Sequence, residues 1–178
     1  MYILAYMFGI HKKGGANLRY QIREKIFSFG DDFTIKDEFG NDVFIVKGKV
    51  FSLGDKLGIY DMNGSEVVYI EQKLFKFLPE YNIYLYDEHA ARVKKEFTFF
   101  RPRFNIESNM GDYVIEGDVF SLNFEILKNG VPIAIVSKKF FSFSDTYGVD
   151  ISDNENHAFI LALVIVIDQV LHDSNNNR

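Results

Sequence analysis

The 178-residue chain is long enough for one domain with a substantial core, and its 47% hydrophobic and 25% charged residues exclude a disordered polymer. A net charge of −5 excludes a nucleic-acid footprint over the whole domain, so no nucleic-acid partner is expected. With no cysteine there are no disulfides, thiolate nucleophiles or zinc–thiolate sites, which suits a reducing, cytoplasmic setting.

In chain order, the opening MYILAYMFGI is apolar, but Lys12 and Lys13 follow the run instead of preceding it. No signal peptide is expected. From residue 20 onward, turn signals recur at short intervals, with the Asn-Gly pairs at 63–64 and 129–130 the strongest because type I′ hairpin turns need positive φ at both central residues. Between the turns lie runs of period-two alternation, rich in the nineteen Phe and ten Tyr. The pattern predicts twelve strands, near 20–28, 32–37, 42–53, 55–61, 66–77, 81–87, 91–100, 103–108, 112–122, 124–128, 131–143 and 146–151. The chain also repeats: VKGKVFSL (46–53) matches IEGDVFSL (115–122), and NGSEVVYIEQKLFKF (63–77) matches NGVPIAIVSKKFFSF (129–143). Two copies of a sheet-forming half, closed on each other, would remove the open edges that each half carries alone.

Ala158 to Ile167 form an unbroken apolar run of ten residues. A bilayer span needs about 20, so no transmembrane segment is expected. SDNE (152–155) reads as a capping box, with Ser152 as cap and Glu155 reaching back, and predicts a helix from about 153 to 172. A helix apolar on all sides and too short to span belongs inside a protein. The expected fold is a mainly β, twelve-stranded closed barrel of two repeated halves around a buried C-terminal helix.

That architecture resembles the Tubby C-terminal-like superfamily. The wording FSFGDDFTIKDEFG, then GKVFSLGDKLGIYDMNG, and a final helix ending in ID is similar to bacterial members of the LURP-one-related family. The resemblance covers about residues 19–172. The expected organisation is an N-terminal extension (1–18), one domain (19–173) and a polar tail (174–178). For the extension, an extra edge strand or flexible arm from YILAYMF and translation beginning at Leu18 are the two readings. What the resemblance implies is mainly fold; the wider superfamily includes phosphoinositide-binding Tubby proteins and phospholipid scramblases. This chain departs from both, with no cysteine for acylation and no Tubby-type basic pair that aligns.

Catalytic and metal chemistry find little footing in the sequence. The four histidines (His11, His89, His157, His172) are scattered, and DISDNENHAFIL (150–161) lacks the sixth-place Gly and twelfth-place Glu of a calcium loop. Phosphate-loop and GxSxG motifs are absent, and Ser28, Ser52, Ser121 and Ser142 sit in aromatic strand words. No catalytic residue, metal or cofactor is assigned. One segment departs from the acidic average: RVKKEFTFFRPR (92–103) sets Arg92, Lys94, Lys95, Arg101 and Arg103 against Glu96 alone, a local charge of +4. Cations interleaved with Phe suit an anionic lipid surface, while alternation alone gives a solvated strand face with Phe97 and Phe99 turned inward. Lys73, Lys76, Lys138 and Lys139 hold equivalent places in the two repeats.

The expectation is a non-enzymatic binding or scaffolding module, partnered by an anionic membrane surface or a protein and peripheral to the inner membrane face. The alternative is a hydrolase with its site at the barrel mouth. A lipocalin-like carrier fits poorly, because the helix takes the lumen a ligand would need; oligomerisation through an aromatic face is the remaining rival.

Overall fold

The computed structural model describes residues 17–23, 32–48, 56–98, 101–140 and 146–176, with side chains as far as Leu171. Twelve strands form along it: β1 (Asn17–Arg23), β2 (Phe33–Asp37), β3 (Asp42–Gly48), β4 (Lys56–Asp61), β5 (Glu66–Gln72), β6 (Glu80–Leu85), β7 (Glu88–Lys95), β8 (Phe104–Ser108), β9 (Tyr113–Asp118), β10 (Asn123–Lys128), β11 (Val131–Ser137) and β12 (Thr146–Ser152). A 3-10 turn (Lys138–Phe140) precedes β12, and the one α-helix among the described residues, α1 (His157–Asn176), follows it. Each expected strand is present. The Asn17–Leu18 pair, expected to precede the domain, opens β1 opposite Ser152 and Ile151; residues 1–16 lie outside the described ones.

All pairings are antiparallel, in the order β8-β7-β6-β5-β4-β3-β2-β1-β12-β11-β10-β9. The first and last strands are sewn together over seven residues, from Asn17↔Ser152 to Arg23↔Thr146. The internal repeat explains this order. Strands β1–β6 and β7–β12 are equivalent halves, so β12–β1 is the counterpart of β6–β7. The counterpart of the β2–β3 ladder would be β8–β9. Those two strands touch but carry no ladder, so the barrel is nearly closed, with its seam inside the second half.

Alternation places one side chain in two toward the lumen. Tyr20 and Ile22 of β1 face Val149 and Tyr147 of β12; Val136 of β11 lies between Val149 and Phe124 of β10. All of these are buried. Into this lining goes α1, whose residues Phe159 to Ile167 have no exposed surface on any side. It packs against β5, β6, β7 and β12. At 1.5 Å per residue, fourteen buried residues from Ala158 to Leu171 span about 20 Å, roughly the length of a six-residue strand. The helix and the wall are matched in height.

Two local expectations are corrected. The helix begins at His157, not 153, and Asn156 is its cap: its Oδ1 accepts the Phe159 N–H at 3.0 Å. Ser152 is held in β12 by pairing with Asn17, so the expected capping box sits one turn too early. Glu155 instead accepts from Lys128 Nζ at 2.9 Å. The Asn-Gly pairs also differ. Asn129 and Gly130 (φ 52° and 77°) make the expected two-residue turn. At 63–64 only Gly64 has positive φ (86°), within a four-residue connection whose organiser is Asp61. Its Oδ1 accepts the N–H groups of Asn63 (2.9 Å) and Ser65 (2.8 Å). Asp37 does the same for Phe39 and Asn41 in the β2–β3 hairpin, both at 2.9 Å, with Gly40 at φ 86°.

Candidate functional site: the two ends of the barrel

In an antiparallel barrel built in chain order, alternate connections emerge at the same end. The registers fix which: Gln72↔Tyr81, Glu80↔Lys94, Lys95↔Phe104, Asp118↔Asn123 and Ser137↔Gly148 all lie at one rim. The connections beyond that rim include 73–79, 96–103, 119–122 and 138–140. With Asp32, the described residue of the β1–β2 connection at the same rim, their described residues carry Lys73, Lys76, Arg101, Arg103, Lys138 and Lys139 against Asp32 and Glu96, a net charge of +4. The opposite rim has the connections 38–41, 62–65, 86–87, 109–112, 129–130 and 153–156. These carry Glu38, Asp87, Asp112, Asp153 and Glu155 and no cation, a net charge of −5. The molecule is polar along its axis.

The basic segment is divided by the structure. Arg92 and Lys94 stand on the outer wall of β7, where both reach Glu107 of β8 (3.4 and 2.9 Å); Arg92 also lies 3.6 Å from Glu80. The hydrogen bond from Lys94 holds the Glu107 carboxyl below its ordinary value. Lys95, on the opposite face, is half-buried, and that burial lowers its ammonium's pKa. Arg101 and Arg103 lie beyond the strand, exposed, at the cationic rim. Phe97, which alternation turns inward, is 68% exposed, because β7 ends at Lys95 and the alternation ends with it. Phe99 is outside the described residues.

What the sequence reading missed lies at this same rim. Phe75 and Phe77 are fully exposed (102% and 92%), and Leu74 and Phe120 are also exposed. Each connection is clipped at its base. Lys73 N–H donates to Glu80 C=O (2.8 Å), and Lys95 N–H to Pro79 C=O (3.0 Å), which leaves Leu74 to Phe77 projecting. Glu96 N–H reaches Arg103 C=O (2.8 Å), and the Thr98 hydroxyl reaches Arg101 C=O (2.6 Å). In DVFSL (118–122), Val119 and Leu122 are buried and Ser121 bonds Asp118 through its hydroxyl (2.6 Å), which leaves Phe120 as the exposed apolar side chain. A signal was present in the sequence. After Ile70 the inner phase of β5 would continue through Gln72, Leu74 and Lys76, while Phe75 and Phe77 fall on the outer phase. A twelve-residue run at 66–77 is also twice the usual strand length.

The remaining candidates are structural. Tyr20 O–H meets His157 Nδ1 at 2.7 Å, tying β1 to the start of α1. Tyr60 donates to Glu66, a bond that pushes its phenol up to about 12. His89 is exposed and packs edge-on against Tyr84. Ser121 serves its turn; Ser28, Ser52 and Ser142 lie outside the described residues, as do His11 and the His172 side chain. Among the described residues no three His, Asp or Glu side chains converge as metal ligands, and no helix is long and apolar enough to cross a membrane.

A twelve-stranded antiparallel barrel filled by its own C-terminal helix defines the Tubby-like class of fold. A protein of Arabidopsis thaliana solved by X-ray crystallography shares it, with a TM-score of 0.64 at 22% identity over 88% of this chain and 93% of that one. The LURP-one-related family model matches residues 18–168, and the chain belongs to that family. Uncharacterized protein YxjI of Bacillus subtilis is 36% identical over 155 residues, covering 87% of this chain and 94% of the relative.

Proposed function

We propose that this protein is a non-enzymatic binding module that docks peripherally, cationic rim first, on anionic phospholipid surfaces. The observation that supports it is the charge separation along the barrel axis: +4 on the described residues of one rim's connections and −5 on the other's. Each Lys or Arg near an anionic surface contributes about 1 kcal/mol, while the acidic rim is repelled, so the field also orients the molecule. Arg101 and Arg103 lead in this contact. Lys94 and Arg92, paired with Glu107, are already partly neutralised and contribute less; Lys95 is turned away from the outer wall.

Co-sedimentation with neutral and anionic vesicles at low and high salt tests the reading. Binding should require anionic lipid and fade with salt, since the Debye length is only about 8 Å at physiological ionic strength. Changing Arg92, Lys94, Lys95, Arg101 and Arg103 together to Gln should weaken binding strongly with heat resistance nearly unchanged. Arg101→Gln with Arg103→Gln should account for most of that loss. Equal binding to both vesicle types, or none to either, would remove the reading.

A further inference from the structure

The geometry points to a second, apolar component of docking: we propose that Leu74, Phe75, Phe77, Phe97 and Phe120 enter the boundary between headgroups and acyl chains when the cationic rim meets a bilayer. This rests on the docking reading above and adds the mode of attachment. A single exposed Phe is ordinary. Here four of them, with Leu74, project from three separate connections at one rim, interleaved with the cations Lys76, Arg101 and Arg103. That pairing of apolar tips with cations matches an interface whose phosphates are anionic and whose next layer is hydrocarbon.

The backbone presents these side chains outward. Phe75 sits at φ 59°, a left-handed conformation that a bulky residue rarely adopts, and its ring is left wholly in water. Phe120 is held out by the Asp118–Ser121 clip while its neighbours Val119 and Leu122 are buried in the core. Tips fixed in advance lose less conformational freedom on binding. The other rim also exposes apolar residues, among them Phe39 and Met62, but there they stand beside Glu38 and other carboxylates, which an anionic surface rejects. The lumen offers acyl chains no room, because α1 fills it. Insertion by the connections is what the structure leaves available to a lipid.

The chain has no Trp, so Phe75→Trp in the full-length protein installs its sole indole, and Phe39→Trp does so at the acidic rim. Each is mixed with phosphatidylcholine vesicles containing phosphatidylserine, with and without brominated acyl chains, and the same samples are sedimented. The expected result is a blue-shifted, bromine-quenched indole at 75 and an unchanged one at 39. Phe75→Ser with Phe77→Ser should weaken vesicle binding about tenfold and leave its salt dependence in place. Sedimentation with an unshifted, unquenched indole at 75 would overturn insertion and leave docking standing. No sedimentation would remove both. A blue shift that needs no vesicle and grows with protein concentration, with a dimer mass by light scattering, would show a second copy covering the rim and would also overturn insertion.

Discussion

The two rims of this barrel are built from the same kind of connection and use charge in opposite ways. At the acidic rim carboxylates make structure. Asp37 and Asp61 each accept two N–H groups of their own turn, Glu155 holds Lys128, and the rim receives the positive end of the α1 dipole where the helix follows β12. At the cationic rim the connections are clipped largely by backbone bonds, and the exposed side chains of Arg101, Arg103, Lys139 and the phenylalanines project beyond the clips. One end spends its polar chemistry on folding. The other presents it to the surroundings.

The comparison breaks most completely if the shared scaffold is removed. Val164→Lys or Ile165→Asp places an unpaired charge in the filled lumen, at a cost of several kcal/mol against a total stability of about 5–15 kcal/mol. Either variant should be insoluble or unfolded; a soluble, cooperative product with unchanged heat resistance would contradict a helix that supports both rims. Deleting 153–178 should give insoluble protein, not an empty barrel.

The acidic rim should respond in stability alone. Asp61→Ala removes the acceptor for two N–H groups and should cost roughly 1–2 kcal/mol by urea denaturation, with vesicle binding unchanged. Its twin Asp37 gives a pH signature. Hydrogen bonds, chiefly from Asn41, hold the Asp37 carboxyl below its ordinary value in the folded state. A depressed folded pKa means the contribution is fully present above the unfolded value, near 4, and is lost as pH falls through the folded one. Asp37→Asn should therefore flatten the acid limb of a stability–pH curve. On the wall between the rims, Tyr60 has the opposite sign. Its folded pKa of about 12 lies above the ordinary 10, so its contribution holds below pH 10 and is lost between about 10 and 12. Tyr60→Phe should remove that alkaline loss in denaturation curves.

The smallest effect should separate the rims most cleanly. Phe75→Gly relieves a strained φ without uncovering any core, and should change stability by no more than about 1 kcal/mol, in the stabilising direction. Vesicle binding should weaken in the same variant. A gain at the melting midpoint with a loss in sedimentation would mark a residue kept for contact, not for folding; a fall in both would assign it a folding role.

Much of this was legible in one dimension. Alternation placed strands over Tyr20–Ile22, Tyr81–Ile83 and Tyr147–Ile151, where the ladders run, and the all-apolar run of α1 gave a buried helix. These features depend on near neighbours along the chain. The helix start was misplaced because SDNE satisfies a local cap pattern, whereas Ser152 is claimed by a ladder with Asn17, 135 positions away. Likewise the segment 92–103 showed a local excess of charge, but Glu107 and Glu80, which neutralise part of it, come from neighbouring strands.

By itself, then, the sequence determined the twelve strands, the two-fold repeat and the filled lumen, because period-two alternation and an unbroken apolar run are properties of consecutive residues. The tertiary structure decided the candidate site. Phe75, Phe97, Arg101 and Phe120 lie on three connections separated by up to 45 residues, and only the antiparallel strand order brings them to one rim. Exposure was decided there too: a Phe in a strand word is core while the ladder lasts, and becomes surface at the residue where the pairing stops.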